Sequence, residues 1–213
     1  MATPGTQFNA PRGTQNINPG PGNQFVKPIF NGPVSFGQPS GTQEDRRKKE
    51  IEILKILNTF NASQHRERLE RNPDRVPGTC DWFVSHELFQ GWNKSKSSRM
   101  LWVSADPGCG KSVLAKHLVD SVLPTTESRT VCYFFFKDDF KDQRNVVSAL
   151  CCLLYQLFMQ KRNLLSDAIL DQFDINGQKL SSSFSELWQI LVNATQDKNA
   201  GEIICLLDAI DEC

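Results

Sequence analysis

Apolar residues recur at two different spacings along the chain, and the two spacings alternate. Three short runs are continuously apolar, as in strands that are buried on both faces of a parallel sheet: 101–103, 130–136 and 203–207. Elsewhere apolar residues recur every three or four positions, which predicts helices within 44–71, 113–122, 143–162 and 183–191. Because strands and helices alternate, the pattern predicts an α/β fold with a parallel sheet.

The charged segment 44–76 predicts an amphipathic helix that is broken near Asn61. Its apolar residues form two adjacent rows, Ile51, Leu54 and Leu57 in one and Ile53, Ile56 and Phe60 in the other. Such a helix either packs onto the domain that follows or binds a partner. Pro73 and Pro77 end the segment and mark a linker, so we take residues 77–213 as a second domain.

Two polar residues are predicted to start helices within that domain. Thr79 is a candidate N-cap for a helix with a row of large aromatic residues: Trp82, Phe83, Phe89 and Trp92. The row either packs in the core or walls a pocket for a nucleotide base. Ser183 and Glu186 have the spacing of a capping box, which predicts a second helix start.

Residues 1–43 differ in composition from everything that follows. They are rich in Gly, Pro, Asn, Gln and Thr, and Arg12 and Lys27 are their only charged residues. A short unit recurs at Gly5, Gly13 and Gly22, as GTQF, GTQN and GNQF, and again as GTQ at 41–43. This repeat tail is either a flexible, disordered segment or a prion-like segment that orders by cross-β stacking between chains.

The residues after the first apolar run have the pattern of a phosphate-binding loop. Positions 105–112 read ADPGCGKS and match G-x-x-x-x-G-K-[ST] except at the first glycine, which is Ala105. Glycines at 108 and 110 allow backbone N–H groups to turn toward a phosphate. Lys111 supplies a positive charge for the β- and γ-phosphates, and the hydroxyl of Ser112 is a hard ligand for Mg²⁺. The predicted nucleotide-binding residues are Pro107, Gly108, Cys109, Gly110, Lys111, Ser112 and Val113.

The same loop could be an ordinary glycine-rich turn between a strand and a helix. The apolar run before it and the helical spacing after it favour the phosphate-binding interpretation, because the motif requires both. A metabolic kinase is a further alternative. It is disfavoured because no site for an acceptor substrate can be recognised beyond the loop.

The last apolar run, 203–207, ends in a group of acids. Asp208 follows the strand directly, and Asp211 and Glu212 come shortly after it. An acid at the end of a buried strand is suited to hold Mg²⁺ opposite Ser112, which predicts Ser112 and Asp208 as the metal ligands. Asp211 or Glu212 would orient or deprotonate an attacking water, so these two are the catalytic candidates. The alternative is an acidic loop after a core strand.

Charge, cysteine usage and hydropathy argue against a nucleic-acid-binding protein, a secreted disulfide-bonded protein and a membrane-spanning protein. The 24 basic and 24 acidic residues balance, so nothing indicates a nucleic acid or an anionic membrane as a partner. Seven cysteines are scattered and never spaced as CxxC, which is typical of reduced thiols. The N-terminus lacks the pattern of a secretory signal, and no apolar run approaches the ~18 residues of a membrane span. We expect a soluble, cytoplasmic protein.

These motifs resemble the NACHT-type NTPases of the STAND class, especially fungal Nod-like receptors and the nephrocystin-type N-terminal P-loop domain. The resemblance runs from about Pro77 to Glu212 and rests on four stretches: PGTCDWF (77–83), LWVSADPGCGKSVLAKHLVD (101–120), VCYFFFKDD (131–139) and CLLDAIDEC (205–213). It implies ATP or GTP with Mg²⁺ as the ligand, self-association of the full-length protein when the triphosphate is bound, slow hydrolysis, and a role in signal transduction and innate immunity. In such fungal receptors an N-terminal prion-like segment can seed a downstream effector, and the repeat tail looks similar to such segments.

In this class the strand before the phosphate loop lies between strands four and five, and both follow the acidic strand in sequence. This chain reaches Cys213 before either of them. We therefore expect a truncated P-loop NTPase with an incomplete sheet, in which the acidic strand does not pair with the strand that ends at Ser104. Nucleotide binding is expected, and hydrolysis is expected to be weak or absent. The alternative function is an assembly adaptor whose working part is the amyloid-like tail.

Overall fold

A computed structural model describes residues 43–58, 64–138 and 141–213 of the chain. The repeat tail, apart from Gln43, and the helix break near Asn61 lie outside the described residues. The eight α-helices of the described part are α1 Gln43–Leu57, α2 His65–Glu70, α3 Asp81–Ser85, α4 Glu87–Asn93, α5 Lys111–His117, α6 Val146–Gln160, α7 Asp167–Asn176 and α8 Phe184–Gln196. None of them is both long and apolar enough to cross a lipid bilayer.

Two parallel strands form the sheet of the described part. Strand β1 spans Arg129–Phe135 and β2 spans Glu202–Asp208, and the register pairs Arg129 with Glu202 at one end and Phe135 with Asp208 at the other. The predicted parallel sheet is therefore present with two of the three predicted strands. Short turns of 3₁₀-helix at Lys141–Gln143, Arg162–Leu164, Gly177–Ser182 and Ile210–Glu212 connect or follow these elements.

The third predicted strand, at 101–104, is wrong as a secondary-structure assignment. The structure describes these residues, and they have no regular secondary structure. An extended segment becomes a strand only through hydrogen bonds to a neighbour. In the described residues β2 pairs with β1 and not with this segment. This agrees with the strand order that the family resemblance implies, in which the acidic strand is not a neighbour of the strand before the phosphate loop.

The larger apolar cluster lies on the helical side of the sheet. It joins α1 to α6, α7 and α8 through fully buried side chains such as Leu57, Leu154, Leu157 and Ile190. Burial of this apolar surface is the main stabilising contribution to the fold. The apolar face of α1 thus packs onto the following domain, as one of the two interpretations of segment 44–76 predicts.

Of the two predicted helix starts, one is confirmed. The Ser183 hydroxyl accepts a hydrogen bond from the backbone N–H of Glu186 at 3.5 Å. Thr79 is not the N-cap of α3, because its hydroxyl donates to the Val76 carbonyl at 2.6 Å and the cap position belongs to Cys80. A second start follows at His86, whose side chain accepts from the N–H of Leu88, so the aromatic row is divided between α3 and α4.

A second, smaller apolar cluster lies between α5 and the opposite face of the sheet. Phe83 and Phe89 of the aromatic row are buried in it, together with Leu114 of α5, Val131 of β1 and Ile204 of β2. Trp82, from the same row, is 69% exposed and does not contribute. This cluster holds α5 against the sheet, so the loop before α5 lies at the carboxyl end of β2.

Candidate functional site

The loop that precedes α5 turns at two glycines in the left-handed region. Gly108 has φ of 81° and Gly110 has φ of 80°. No atom lies within 4 Å of the space that a Cβ would fill at either position, so the backbone conformation, and not crowding, requires glycine. Between them, the exposed Cys109 donates its N–H to the Asp106 carbonyl at 3.3 Å. The loop is a tight turn that leads directly into the first turn of a helix.

Lys111 folds back over this loop. Its Nζ donates to the carbonyl oxygens of Ala105 and Asp106, at 2.7 and 3.2 Å. Ala105, the departure from the loop motif, does not have a positive φ, so it does not need the conformational freedom of glycine. The ammonium group therefore lies at the mouth of the loop, held by neutral acceptors that an anion can replace.

The second part of the site is Asp208, which is distant from the loop in sequence. This residue ends β2 and is 8% exposed, and its carboxylate lies close enough to the hydroxyl of Ser112, in the first turn of α5, for that hydroxyl to lower its pKa. Burial raises the pKa of Asp208, and hydrogen bonds from Ser112 and the Ala209 backbone and the nearby charge of Lys111 partly oppose this. The fold thus brings residues of the two motifs close to each other.

The chain turns sharply after Asp208. Ala209 has φ of 54°, which is rare for a residue with a side chain and costs backbone energy of about 1 kcal/mol. The 3₁₀ turn Ile210–Glu212 follows, and both catalytic candidates, Asp211 and Glu212, are exposed in it. A carboxylate oxygen of Glu212 accepts the backbone N–H of Asp138 at 3.1 Å, so this acid is tied to the loop after β1.

The donor set fits a magnesium ion that arrives with a phosphate ligand. In the described part of the chain no group of three or more His, Cys, Asp or Glu residues could hold a metal on its own. The hydroxyl of Ser112 and the carboxylate of Asp208 supply two hard oxygen donors. Mg²⁺ typically uses one or two protein oxygens and takes its remaining ligands from water and phosphate, so two donors are enough.

Sequence reasoning missed Lys116, which ties α5 to the linker before it. Lys116 lies one helical turn after Ser112, is 7% exposed, and its Nζ donates to the Asn72 carbonyl at 2.8 Å and to Asp74 at 2.6 Å. Its position among the apolar residues of α5 was the only signal, and a lysine on a helix is usually solvated. The contact fixes the orientation of the helix that carries Lys111 and Ser112.

The other predicted residues lie in the loop and in the first turn of α5. Pro107 lies in the loop, Gly110 is the N-cap of α5, and Val113 is in its first turn. The apolar segment before the loop is largely uncovered, since Met100 is 85% and Trp102 is 65% exposed. The described site is therefore a loop and a helix N-terminus facing one buried acid, with an open apolar flank.

Comparison with known proteins gives three matches. Residues 78–213, more than half of the chain, match the family described as Nephrocystin 3, N-terminal. Residues 2–37 match the family described as Sigma domain on NACHT-NTPases. Vegetative incompatibility protein HET-E-1 of Podospora anserina is 28% identical over 135 residues, which is 62% of this chain and 10% of that protein. The chain thus spans about a tenth of the length of this curated relative, and no solved structure matches.

Proposed function

Because the chain belongs to the Nephrocystin 3, N-terminal family of NACHT-type NTPases, we propose that it binds a nucleoside triphosphate with Mg²⁺ as the switch region of a STAND-type signalling receptor. The observation that carries the proposal is the proximity of the Ser112 hydroxyl to the buried carboxylate of Asp208. It joins the phosphate-loop motif to the acidic strand, which are far apart in sequence. An isolated glycine-rich turn would have no reason to face a buried carboxylate.

The residues of the loop have distinct parts in binding. The left-handed turns at Gly108 and Gly110 leave backbone N–H groups free to cradle a phosphate, assisted by the first N–H groups of α5. The Lys111 ammonium leaves the carbonyls of Ala105 and Asp106 and binds the β- and γ-phosphates instead. Exchange of neutral acceptors for an anion strengthens these hydrogen bonds.

At the other side of the site, Ser112 and Asp208 would hold the metal. A bound Mg²⁺ supplies positive charge that screens the phosphates from the nearby acids. Asp211 or Glu212 would orient an attacking water, with Glu212 already fixed by the Asp138 N–H. Their exposure favours slow hydrolysis, because water is not excluded from their carboxylates.

Titration of the full chain with fluorescent ATP and GTP analogues in the presence of Mg²⁺ tests the proposal. Lys111→Ala is expected to weaken binding by about tenfold to a hundredfold, since a charge-assisted hydrogen bond contributes about 1.5–3 kcal/mol. Lys96→Ala is the matched control, because Lys96 is exposed in the loop before this region and has no part in the site. If the wild type binds neither analogue, or if both variants bind alike, the proposal fails. The better of the two analogues identifies the base.

A second function is favoured by the match of residues 2–37 to the Sigma domain on NACHT-NTPases. We propose that the repeat tail mediates assembly with a downstream effector or with other copies, and that nucleotide binding in residues 77–213 controls this. The tail contains the repeated Gln and Asn residues and the phenylalanines that cross-β stacking uses.

Thioflavin fluorescence of the full chain, compared with a variant that lacks residues 2–37, tests the tail. Seeded, concentration-dependent fluorescence is expected in the full chain only. Equal signals from the two proteins, or no signal from either, would remove the basis for this second function and leave nucleotide binding unaffected.

A further inference from the structure

The outer edge of β1, on the side away from β2, is closed by side chains. In a strand, every second residue directs both its N–H and its C=O group toward the same edge. On β1 these are Arg129, Val131, Tyr133 and Phe135, because Phe136 and the Ser128 carbonyl bond to β2. An unpaired edge of this kind normally presents a row of free N–H and C=O groups that can template another strand.

Gln156 of α6 closes the centre of this edge. Its Oε1 accepts the N–H of Tyr133 at 3.0 Å, and its Nε2 donates to the carbonyl of Tyr133 at 2.8 Å. One side-chain amide thus makes both hydrogen bonds that a neighbouring strand would make to Tyr133. One turn later, the Nε2 of Gln160 donates to the Val131 carbonyl at 3.2 Å, and the Val131 N–H donates to the Thr125 hydroxyl at 3.3 Å.

The two ends of the edge are closed in the same way. The Phe135 N–H donates to Nε2 of His65 at 2.9 Å, and the Phe135 carbonyl accepts from Gln143 at 2.8 Å. Burial, followed by the charge of Arg68, lowers the pKa of His65 to about 4, so its ring stays a neutral acceptor at neutral pH. At the other end Arg129 is closed largely by backbone: its carbonyl accepts from the Thr126 N–H at 2.8 Å, and its N–H donates to the Thr126 carbonyl at 3.3 Å and hydroxyl at 3.1 Å.

Strand β2 provides an internal comparison. Its outward residues are Ile203, Cys205 and Leu207, since Glu202 and Asp208 bond to β1. Within residues 43–58, 64–138 and 141–213, nothing bonds to the backbone groups of these three. One edge of the sheet is thus closed residue by residue, while the other has no such cover.

The groove beside the closed edge is otherwise suited to a strand. Its volume is about 480 Å³, and its walls include Val119, Tyr133, Tyr155 and Met159. These apolar side chains could cover an extended chain, but the hydrogen bonds that it would need are already taken, and the charged Arg66 also lines the groove.

We propose that these side chains form an edge guard, which prevents a second copy of this chain from adding a strand to the outer edge of β1. The guard is defined by Gln143, Gln156, Gln160, His65, Thr125 and Thr126. It confines any strand pairing between copies to other parts of the molecule.

Two variants of Gln156 in the full chain distinguish a residue that blocks strand addition from a residue that only stabilises the fold. Gln156→Ala removes both bonds to Tyr133, and Gln156→Lys removes the acceptor of the Tyr133 N–H, but only lysine leaves a charge that resists strand addition. Sedimentation velocity is expected to show association about tenfold stronger for the alanine variant than for wild type, and no increase for the lysine variant. Gln189→Ala is the control, since Gln189 bonds Asn193 on the exposed face of α8.

Association that rises equally in the alanine and lysine variants would come from lost stability and would overturn the guard. Association of Gln156→Ala that matches Gln189→Ala would also overturn it. Hydrogen exchange of the wild type tests whether the Tyr133 amide is closed off, and this test does not depend on a variant that folds. The Tyr133 amide is expected to exchange as slowly as that of Cys132, which bonds to β2, and exchange at the rate of a free amide contradicts the proposal.

Discussion

The two faces of the sheet differ in how completely the described chain covers them. On the helical face, Leu154, Leu157 and Phe158 of α6 are fully buried against α1 and α8. On the face that carries the loop, α5 covers part of the sheet, and Trp102 and Val103 remain 65% and 41% exposed. The helical face is a self-sufficient core, whereas the loop face exposes groups that a ligand or further chain can engage.

The largest expected effect comes from the helical face. Leu157→Ala should lower the free energy of unfolding by about 3–4 kcal/mol, because it leaves a cavity in a fully packed core. Trp102→Ala on the loop face should change it by less than about 0.5 kcal/mol. Urea titration of both variants measures the difference, and equal losses would mean that the two faces are packed alike.

The next effect depends on pH and concerns His65, which is buried and stacks on Phe134 at 4.5 Å. Its folded pKa of about 4 lies below the ordinary value of 6.5, so the unfolded chain takes up a proton first as the pH falls. The contribution of neutral His65 to the free energy of unfolding is fully present above pH 6.5. It is lost between pH 6.5 and about 4, at about 1.4 kcal/mol per pH unit.

Thermal unfolding of wild type and His65→Gln across this pH range measures that contribution. Glutamine can still accept the Phe135 N–H and does not titrate in this range. The variant should therefore show a shallower pH dependence. Parallel curves for the two proteins would show that other groups cause the loss.

At the site, Asp208 is expected to have a smaller effect on the pH dependence of stability, opposite in sign to that of His65. Burial raises the pKa of Asp208, so its ionised form costs stability above the ordinary aspartate pKa of about 3.9, and the cost grows as the pH rises through the raised value. Asp208→Asn should raise the melting temperature by a few degrees at neutral pH while weakening binding of Mg²⁺ and triphosphate. The two melting curves should converge in acid. A lower melting temperature for the variant at neutral pH would contradict this account of the site.

Local features of the site and the fold could be predicted from sequence. The glycines at 108 and 110 and the cap at Ser183 act through their own backbone or that of near neighbours, so spacing identified them. The strands β1 and β2 were marked by continuous apolar runs. Helix α7, Asp167–Asn176, was not predicted, although Ser166 caps it through the N–H of Ile169.

Features that depend on distant partners could not be predicted. Residues 101–104 have the composition of a strand, but a strand needs a neighbour, and composition does not reveal whether one is present. Lys116 and His65 look like ordinary surface residues of helices until Asn72 and Phe135 are placed beside them. Thr79 was misassigned because the hydroxyl has a closer acceptor in the preceding turn.

The central claim is that Ser112 and Asp208 act on one metal ion that is bound with a triphosphate. Calorimetric titration of ATP into wild type, Ser112→Ala, Asp208→Asn and the double variant, each with Mg²⁺ and with EDTA, tests it most directly. With Mg²⁺, each single variant is expected to lose about tenfold in affinity and the double variant little more, because residues that share one partner are strongly coupled. In EDTA the four proteins should bind alike. Losses that add independently, or that persist without Mg²⁺, would contradict a shared magnesium site.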